Sequence, residues 1–206
     1  MLTGIEEQGR IKCAQYWSED EPKQIDDLFR VTHQSVRKYS DYVIRRFNLE
    51  KLDGSSEARD ILHFHFVMWR DFLAPEQPSW LLRFIKRVNE HYCPDMGPIL
   101  VHCSAGVGRT GTFIAIDSLI AQISENSTHI NIFECVSRLR YQRNHLVQSL
   151  KQYIFVYRAV MEFAEFGDTE IEICHLKDHY RQLKDHKFDG NINGIMIEFE
   201  VFSSFV

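Results

Sequence analysis

No apolar run in this 206-residue chain approaches the roughly 18 residues a membrane-spanning helix requires. The opening Met1-Leu-Thr-Gly-Ile-Glu-Glu has neither the basic nor the apolar segment of a secretory leader, so the chain reads as soluble. Cysteine is sparse and scattered: Cys13, Cys93, Cys103, Cys135 and Cys174 form no CxxC pair. An odd number at wide spacing indicates neither a disulfide framework nor a cysteine zinc centre, and fits a reducing, cytoplasmic compartment. An excess of positive charge is also missing. With 24 Lys+Arg against 29 Asp+Glu the net charge is −5, which argues against a protein that tracks the phosphate backbone of nucleic acid.

What is present is a globular composition, 44% hydrophobic and 13% aromatic. Charge is unevenly divided, because residues 162–206 carry 4 basic and 10 acidic side chains and form an acidic tail. Met1–Ile5 and Arg10–Trp17 flank a turn at Glu7-Gln8-Gly9, and the polar stretch Ser18–Asp27 reads as a surface loop. Tyr42–Leu52 and Ile61–Trp69 surround a Leu52-Asp-Gly-Ser-Ser turn, and the alternation of Leu62, Phe64 and Phe66 predicts a hairpin with one buried face. Trp80, Leu81, Phe84, Ile85 and Val88 mark a helix, and Ile99–Val101 reads as a short buried strand after Gly97-Pro98. Helices follow over Thr110–Ile123, Ile132–Gln142 and Ser149–Ala164, with weaker ones near His175–Lys184 and Ile195–Phe202.

The chemistry is concentrated in Val101-His-Cys-Ser-Ala-Gly-Val-Gly-Arg-Thr-Gly111. Here a cysteine ends a strand, two glycines follow, and an arginine stands where the next helix begins. Backbone N–H groups of such a loop converge on an anion, and the helix N-terminus adds its positive dipole end. Arg109 offers a bidentate fork for two phosphoryl oxygens. The same field favours the thiolate of Cys103, moving its pKa from ~8.5 into the range of roughly 3.5–7.5. His63 and His65 share one face of a strand and invite a metal reading, but with no third ligand in view they read as sheet histidines. Arg138, Arg140 and Arg143 read as a charged helix face.

His102-Cys103-x5-Arg109-Thr110 resembles the signature of the cysteine-dependent protein tyrosine phosphatases. Lys12-Cys-Ala-Gln-Tyr-Trp17, Leu62-His-Phe-His-Phe66, Trp69-Arg-Asp71 and the stretch Leu146–Tyr153 stand where the phosphotyrosine-specific branch has its motifs, so the likeness covers about residues 1–165. It implies an α/β fold, a twisted mixed sheet flanked by helices, acting on phosphotyrosine proteins without metal or cofactor. Cys103 would attack phosphorus and carry a phosphocysteine intermediate. The backbone of Ser104, Ala105, Gly106, Val107, Gly108 and Arg109 would hold the phosphoryl oxygens, and the Arg109 side chain would stabilise transition-state charge. His102 would help depress the thiolate pKa, and Thr110 would ease the thiolate's departure. Asp71 would act first as acid and then as base, Gln148 would position water, and Gln152 would support it. Glu7 matches the carboxylate that orients the signature arginine, Lys12 the lysine that meets the acid loop, and Trp69 the first residue of that loop.

Two departures from the family pattern carry expectations. Trp69-Arg70-Asp71-Phe72-Leu73 replaces the usual proline before the aspartate and the glycine beyond it, and Arg70 favours ionised Asp71. Catalysis is then expected to be weaker on phosphotyrosine than on aryl phosphates with better leaving groups. The alternative is a binding module that holds phosphotyrosine proteins with little turnover. The second departure is at the front: family members have a further N-terminal stretch with an Asn-Arg-Tyr loop, so residues 1–165 read as a partial catalytic domain. Residues 166–206 resemble the segment that leads, in receptor-type members, toward a second phosphatase domain.

Overall fold

The computed structural model describes residues 1–55, 57–69, 74–125, 128–186 and 192–204. They fall into two compact units, Met1–Gly167 and Asp168–Val206. The first begins with a minimal hairpin, β1 (Glu6–Glu7) and β2 (Arg10–Ile11). Its two turn residues, Gln8 and Gly9, both have left-handed φ, 52° and 72°, as a turn matching strand twist requires. Strands β3 (Lys23–Ile25), β4 (Phe29–Lys38), β5 (Tyr42–Lys51) and β6 (Ala58–Phe66) then form an antiparallel sheet in sequence order. The β5–β6 hairpin has the expected pairing, with Tyr42 opposite Phe66. Strand β4 gives no hydrophobic alternation, since Val31 is its one buried residue, and β3 lies inside the stretch expected to be a loop. A second tight turn joins these two strands, with Asp26 and Asp27 at φ 49° and 52° and the Leu28 N–H donating to Ile25 O at 3.1 Å.

Both faces of β6 are covered. Phe64 and Phe66 meet the Phe84 ring on the helical side, with centroids 6.4 and 5.1 Å apart. On the opposite side His63 meets Trp17 and Phe47 at 5.0 and 5.5 Å. The sheet extends past β6 through Met1, whose amino group donates to Phe64 O at 2.8 Å while the Phe66 N–H donates to Met1 O at 3.0 Å. That slanted pair is the parallel pattern, so the sheet is mixed. The Leu2 N–H then donates to His102 O at 2.9 Å. The expected buried strand Ile99–Val101 does not form. Among the described residues it has no ladder partner, and Ile99 and Leu100 are exposed. Without a partner strand to take its backbone hydrogen bonds the segment makes no strand, however apolar its sequence.

Helix α1 (Pro78–Glu90) starts on a proline and buries Leu81, Phe84, Ile85 and Val88. Helix α2 (Gly108–Ser124) is apolar nearly all round because α1, α3 (Ile132–Gln142) and α4 (Leu150–Phe166) all pack on it. Asn131 caps α3 by accepting from the Glu134 N–H at 2.9 Å, and Ser149 and Gln152 form a reciprocal capping box on α4. The second unit holds α5 (Leu176–Asp185) and α6 (Gly194–Ser204), close to the two weak helices expected there. Among the described residues no helix is long and apolar enough to cross a membrane.

The first turn of α2 is fixed by one close approach. Val107 O accepts from the Gly111 N–H at 3.0 Å and from the Val147 N–H at 3.2 Å, which draws the two backbones together. A Cβ on Gly111 would overlap the Val147 nitrogen and lie 2.9 Å from the Leu146 backbone. Gly111→Ala is therefore expected to cost ~1–3 kcal/mol, read as a lower urea midpoint at unchanged slope. Gly54→Ala, with φ 84° but open space around it, is the control at about 1 kcal/mol, and an equal loss in the two would remove the contact as the cause.

Candidate active site

Residues 103–109 turn between the segment ending at His102 and the first turn of α2. Val107 takes the position before the helix without a side-chain cap, so the first amides of α2 are left for another acceptor. Gly106 has φ 69°, which turns successive N–H groups toward the Cys103 side chain. Burial alone would push the Cys103 thiol up. The Thr110 hydroxyl, which donates to Sγ at 3.2 Å, and the backbone N–H groups of Thr110, Gly106 and Val107 outweigh it and hold the thiol below its ordinary value.

Arg109 is buried and aimed by Glu7. Its Nη1 donates to Glu7 Oε1 at 2.7 Å and its Nη2 to Oε2 at 2.6 Å, a bidentate pair, and Nη1 also donates to Leu2 O at 2.9 Å. Glu7 is held in turn by the Thr3 hydroxyl at 3.1 Å and the Gly4 N–H at 2.7 Å. Burial works to raise the Glu7 pKa, but the bonds from Arg109, Gly4 and Thr3 prevail and hold it below the usual carboxylate range.

The carbonyls of the loop are engaged from outside. Arg143 Nε donates to Gly106 O at 3.0 Å and Nη2 to Ala105 O at 3.2 Å. His102 Nδ1 lies 3.1 Å from Cys103 O, and Val107 O takes the two amides described above. Arg140 donates to Leu146 O and Val147 O at 2.9 and 2.7 Å, supporting the segment beneath. Arg140 and Arg143 are thus clamps on backbone rather than two members of a charged helix face, since their donors end on carbonyls.

Gln152 Oε1 accepts from the Gln148 and Ser149 N–H groups at 2.9 and 3.2 Å. Both glutamine side chains approach Gly108, where an added Cβ would stand 2.9 Å from Gln152 Nε2 and 3.2 Å from Gln148 Oε1. Ser104 and Ala105 form the exposed side of the loop. Lys12 follows β2 and donates its N–H to Ile5 O at 2.8 Å, and Trp69 is buried against Phe66 and Phe155. Asp71, with Arg70, Phe72 and Leu73, lies outside the described residues. The histidine pair is committed elsewhere, His63 Nε2 to the Tyr16 hydroxyl at 3.0 Å and His65 Nε2 to Thr3 O at 2.7 Å.

The family model described as Protein-tyrosine phosphatase matches residues 1–162. The chain belongs to the protein-tyrosine phosphatase family. Tyrosine-protein phosphatase 69D of Drosophila melanogaster is 44% identical over 206 residues, covering 97% of this chain and 14% of that protein. Receptor-type tyrosine-protein phosphatase F of Danio rerio is 38% identical over 200 residues, covering 97% and 10%. Receptor-type tyrosine-protein phosphatase S of Gallus gallus is 38% identical over 203 residues, covering 97% and 13%. The chain therefore spans about a tenth to a seventh of the length of these relatives.

In this phosphatase chain, sequence reasoning missed Tyr16, Arg140 and Arg143 as members of the site. Tyr16 sits 86 positions from His102 yet meets its Nε2 at 2.8 Å. The adjoining Lys12–Trp17 motif was the available signal for Tyr16, while nothing local marks Arg143.

The Glu7–Arg109 pair sets a pH dependence. A carboxyl whose folded pKa is depressed contributes stability that is present above its unfolded value, near 4.5, and is lost as pH falls through the folded value. Glu7→Gln should cost ~2–4 kcal/mol near neutrality by leaving Arg109 uncompensated. Its stability should then fall less steeply than the wild type's on acidification, which denaturant titrations at a series of pH values would check.

Proposed function

We propose that this chain hydrolyses phosphotyrosine in proteins through a phosphocysteine intermediate. The observation that carries the reading is the loop itself: a Cys103 thiol held below its ordinary value by the amides of the loop, followed in the next helical turn by a guanidinium fixed on Glu7. The relatives' names support tyrosine phosphate as the substrate class.

In the first step the Cys103 sulfur attacks phosphorus, the bond from phosphorus to the tyrosyl oxygen breaks, and that oxygen takes a proton from Asp71. The amides of Ser104–Arg109 and the Arg109 guanidinium bind the three equatorial oxygens as charge develops. In the second step water, positioned by Gln148, gives its proton to Asp71 and attacks phosphorus, and the thiolate leaves. The Thr110 hydroxyl, already donating to Sγ, stabilises the departing thiolate. Asp71 enters by its place after Trp69. The loop residues needed for each step are those of a two-step displacement.

Residues 1–165 serve as the catalytic part and residues 166–206 as a linker toward a further phosphatase domain. The likeness to receptor-type relatives runs over 97% of the chain although the family match stops at 162. This reading places the chain on the cytoplasmic side of a membrane receptor. The binding-module alternative draws on Arg70 beside Asp71, which favours the ionised aspartate.

The test is phosphate release from a phosphotyrosyl peptide, with and without vanadate. Vanadate-sensitive turnover is expected, lost in Cys103→Ser and lowered on the order of 10²–10³-fold in Arg109→Lys. Asp71→Asn should slow the peptide more than an aryl phosphate with a good leaving group. No turnover by a wild-type chain that still binds the peptide would favour the binding module.

A further inference from the structure

Three buried or half-buried side chains form a hydrogen-bonded chain that ends on the nucleophile's own backbone. His63, on β6, has Nε2 3.0 Å from the Tyr16 hydroxyl, and the same hydroxyl lies 2.8 Å from His102 Nε2. His102 Nδ1 lies 3.1 Å from Cys103 O. The direction of the chain follows from counting hydrogens. A carbonyl can only accept, so His102 Nδ1 carries a hydrogen. Burial holds His102 below the ordinary imidazole value, so near neutrality its Nε2 is bare and must accept from Tyr16. The single Tyr16 hydrogen then goes to His102 rather than to Met1 Sδ, a weaker acceptor 3.8 Å from the hydroxyl, and His63 Nε2 must donate to the Tyr16 oxygen. His63 Nδ1, buried with no hydrogen-bond partner among the described residues, agrees with this tautomer. Burial chiefly keeps His63 uncharged, its pKa pushed down to about 2, and the Tyr16 phenol is pushed up to about 12.

We propose that His63 is a positioning residue for Cys103, acting through the aligned relay from His63 to Tyr16 to His102 to the Cys103 carbonyl. Every donor in the relay points its hydrogen toward Cys103. Dipoles aligned in this way polarise one another, so the far end of the chain strengthens the positive end beside the nucleophile. The proposal rests on Cys103 being the nucleophile. Among the described residues the side chain of His63 meets Tyr16, Trp17, Phe47 and His65 rather than Cys103, and its packing against Trp17 and Phe47 would by itself assign it only a structural part. The ionisable groups facing the relay are His65 on the same strand, Arg45 on β5 with its partner Glu19, Cys13 and the Met1 amino group. Tyr16 remains un-ionised through the range in which Cys103 titrates, so it adds no step of its own there.

The measurement is the rate of Cys103 alkylation by iodoacetamide against pH, read by peptide mass so that the other cysteines do not contribute. In the wild type the midpoint is expected below the ordinary thiol value. His63→Phe keeps a ring against Trp17 but removes the donor, and should raise the midpoint by roughly 0.2–0.5 pH unit. Tyr16→Phe cuts the relay nearer its end and should raise it more. The double variant should match Tyr16→Phe alone, because His63 has no other route to Cys103. His63→Gln, whose side-chain amide can still donate, should return toward the wild-type midpoint. Additive shifts in the double variant, or an unchanged midpoint in a folded His63→Phe, would overturn the relay. An ordinary wild-type midpoint would instead overturn Cys103 as an activated nucleophile, so the two readings fail separately. Nitrogen-15 NMR of the wild type gives a check free of any folding defect: hydrogen on Nε2 of His63 and Nδ1 of His102 is expected, and the opposite tautomer on either ring refutes the relay.

Discussion

The bidentate bond between Glu7 and Arg109 is the constraint around which the rest is arranged. It joins residues 102 positions apart and takes a guanidinium almost wholly out of water. Such a charge is tolerated only with its donors occupied. The opening hairpin serves that end: its tight turn sets the direction of Glu7, while Thr3 and Gly4 bind the carboxylate's remaining acceptor capacity. With Leu2 O also on Nη1, the first residues of the chain fasten the start of α2 to the edge of β6. A change there acts at the site by moving the Arg109 guanidinium.

From that anchor the loop acquires its shape by having its carbonyls held outward. Arg143 takes two, His102 one and the Gly111 and Val147 amides another. Val147 accepts a left-handed φ of 60°, unusual for a β-branched residue, which its packing into the core must impose. Strain in one buried residue and the lack of a side chain at Gly111 are two parts of one close contact. The capping box of α4 adds a third, because Gln152 bonds the Gln148 and Ser149 amides and reaches Gly108.

Much of this was legible in the sequence wherever local physics decides. Helix α3 matches its expected span because Asn131 caps it and an apolar face runs through it, and the β5–β6 hairpin follows from alternation around a glycine turn. Strand β4 was not legible, since it buries little and owes its existence to its neighbours' hydrogen bonds. Ile99–Val101 failed for the converse reason: its residues suit a strand, but pairing is not a property of one segment. At the site, Cys103, Arg109 and the glycines declare themselves by spacing. Tyr16 and Arg143 do not, because the groups they meet lie 86 and 37 positions away in the chain.

A loop whose carbonyls are tied down from outside is an anion receptor already in its final form. Ordering it costs nothing at the moment of binding, so on the proposed function the tyrosyl ring contributes nothing to shaping it. Such a receptor cannot tell an esterified phosphoryl group from free phosphate by closing around one and not the other. On the proposed function, the phosphate it releases is therefore a natural competitor. Turnover in a phosphate-rich medium is governed by how strongly contacts beyond the loop favour the ester, a burden that falls on the surface around it.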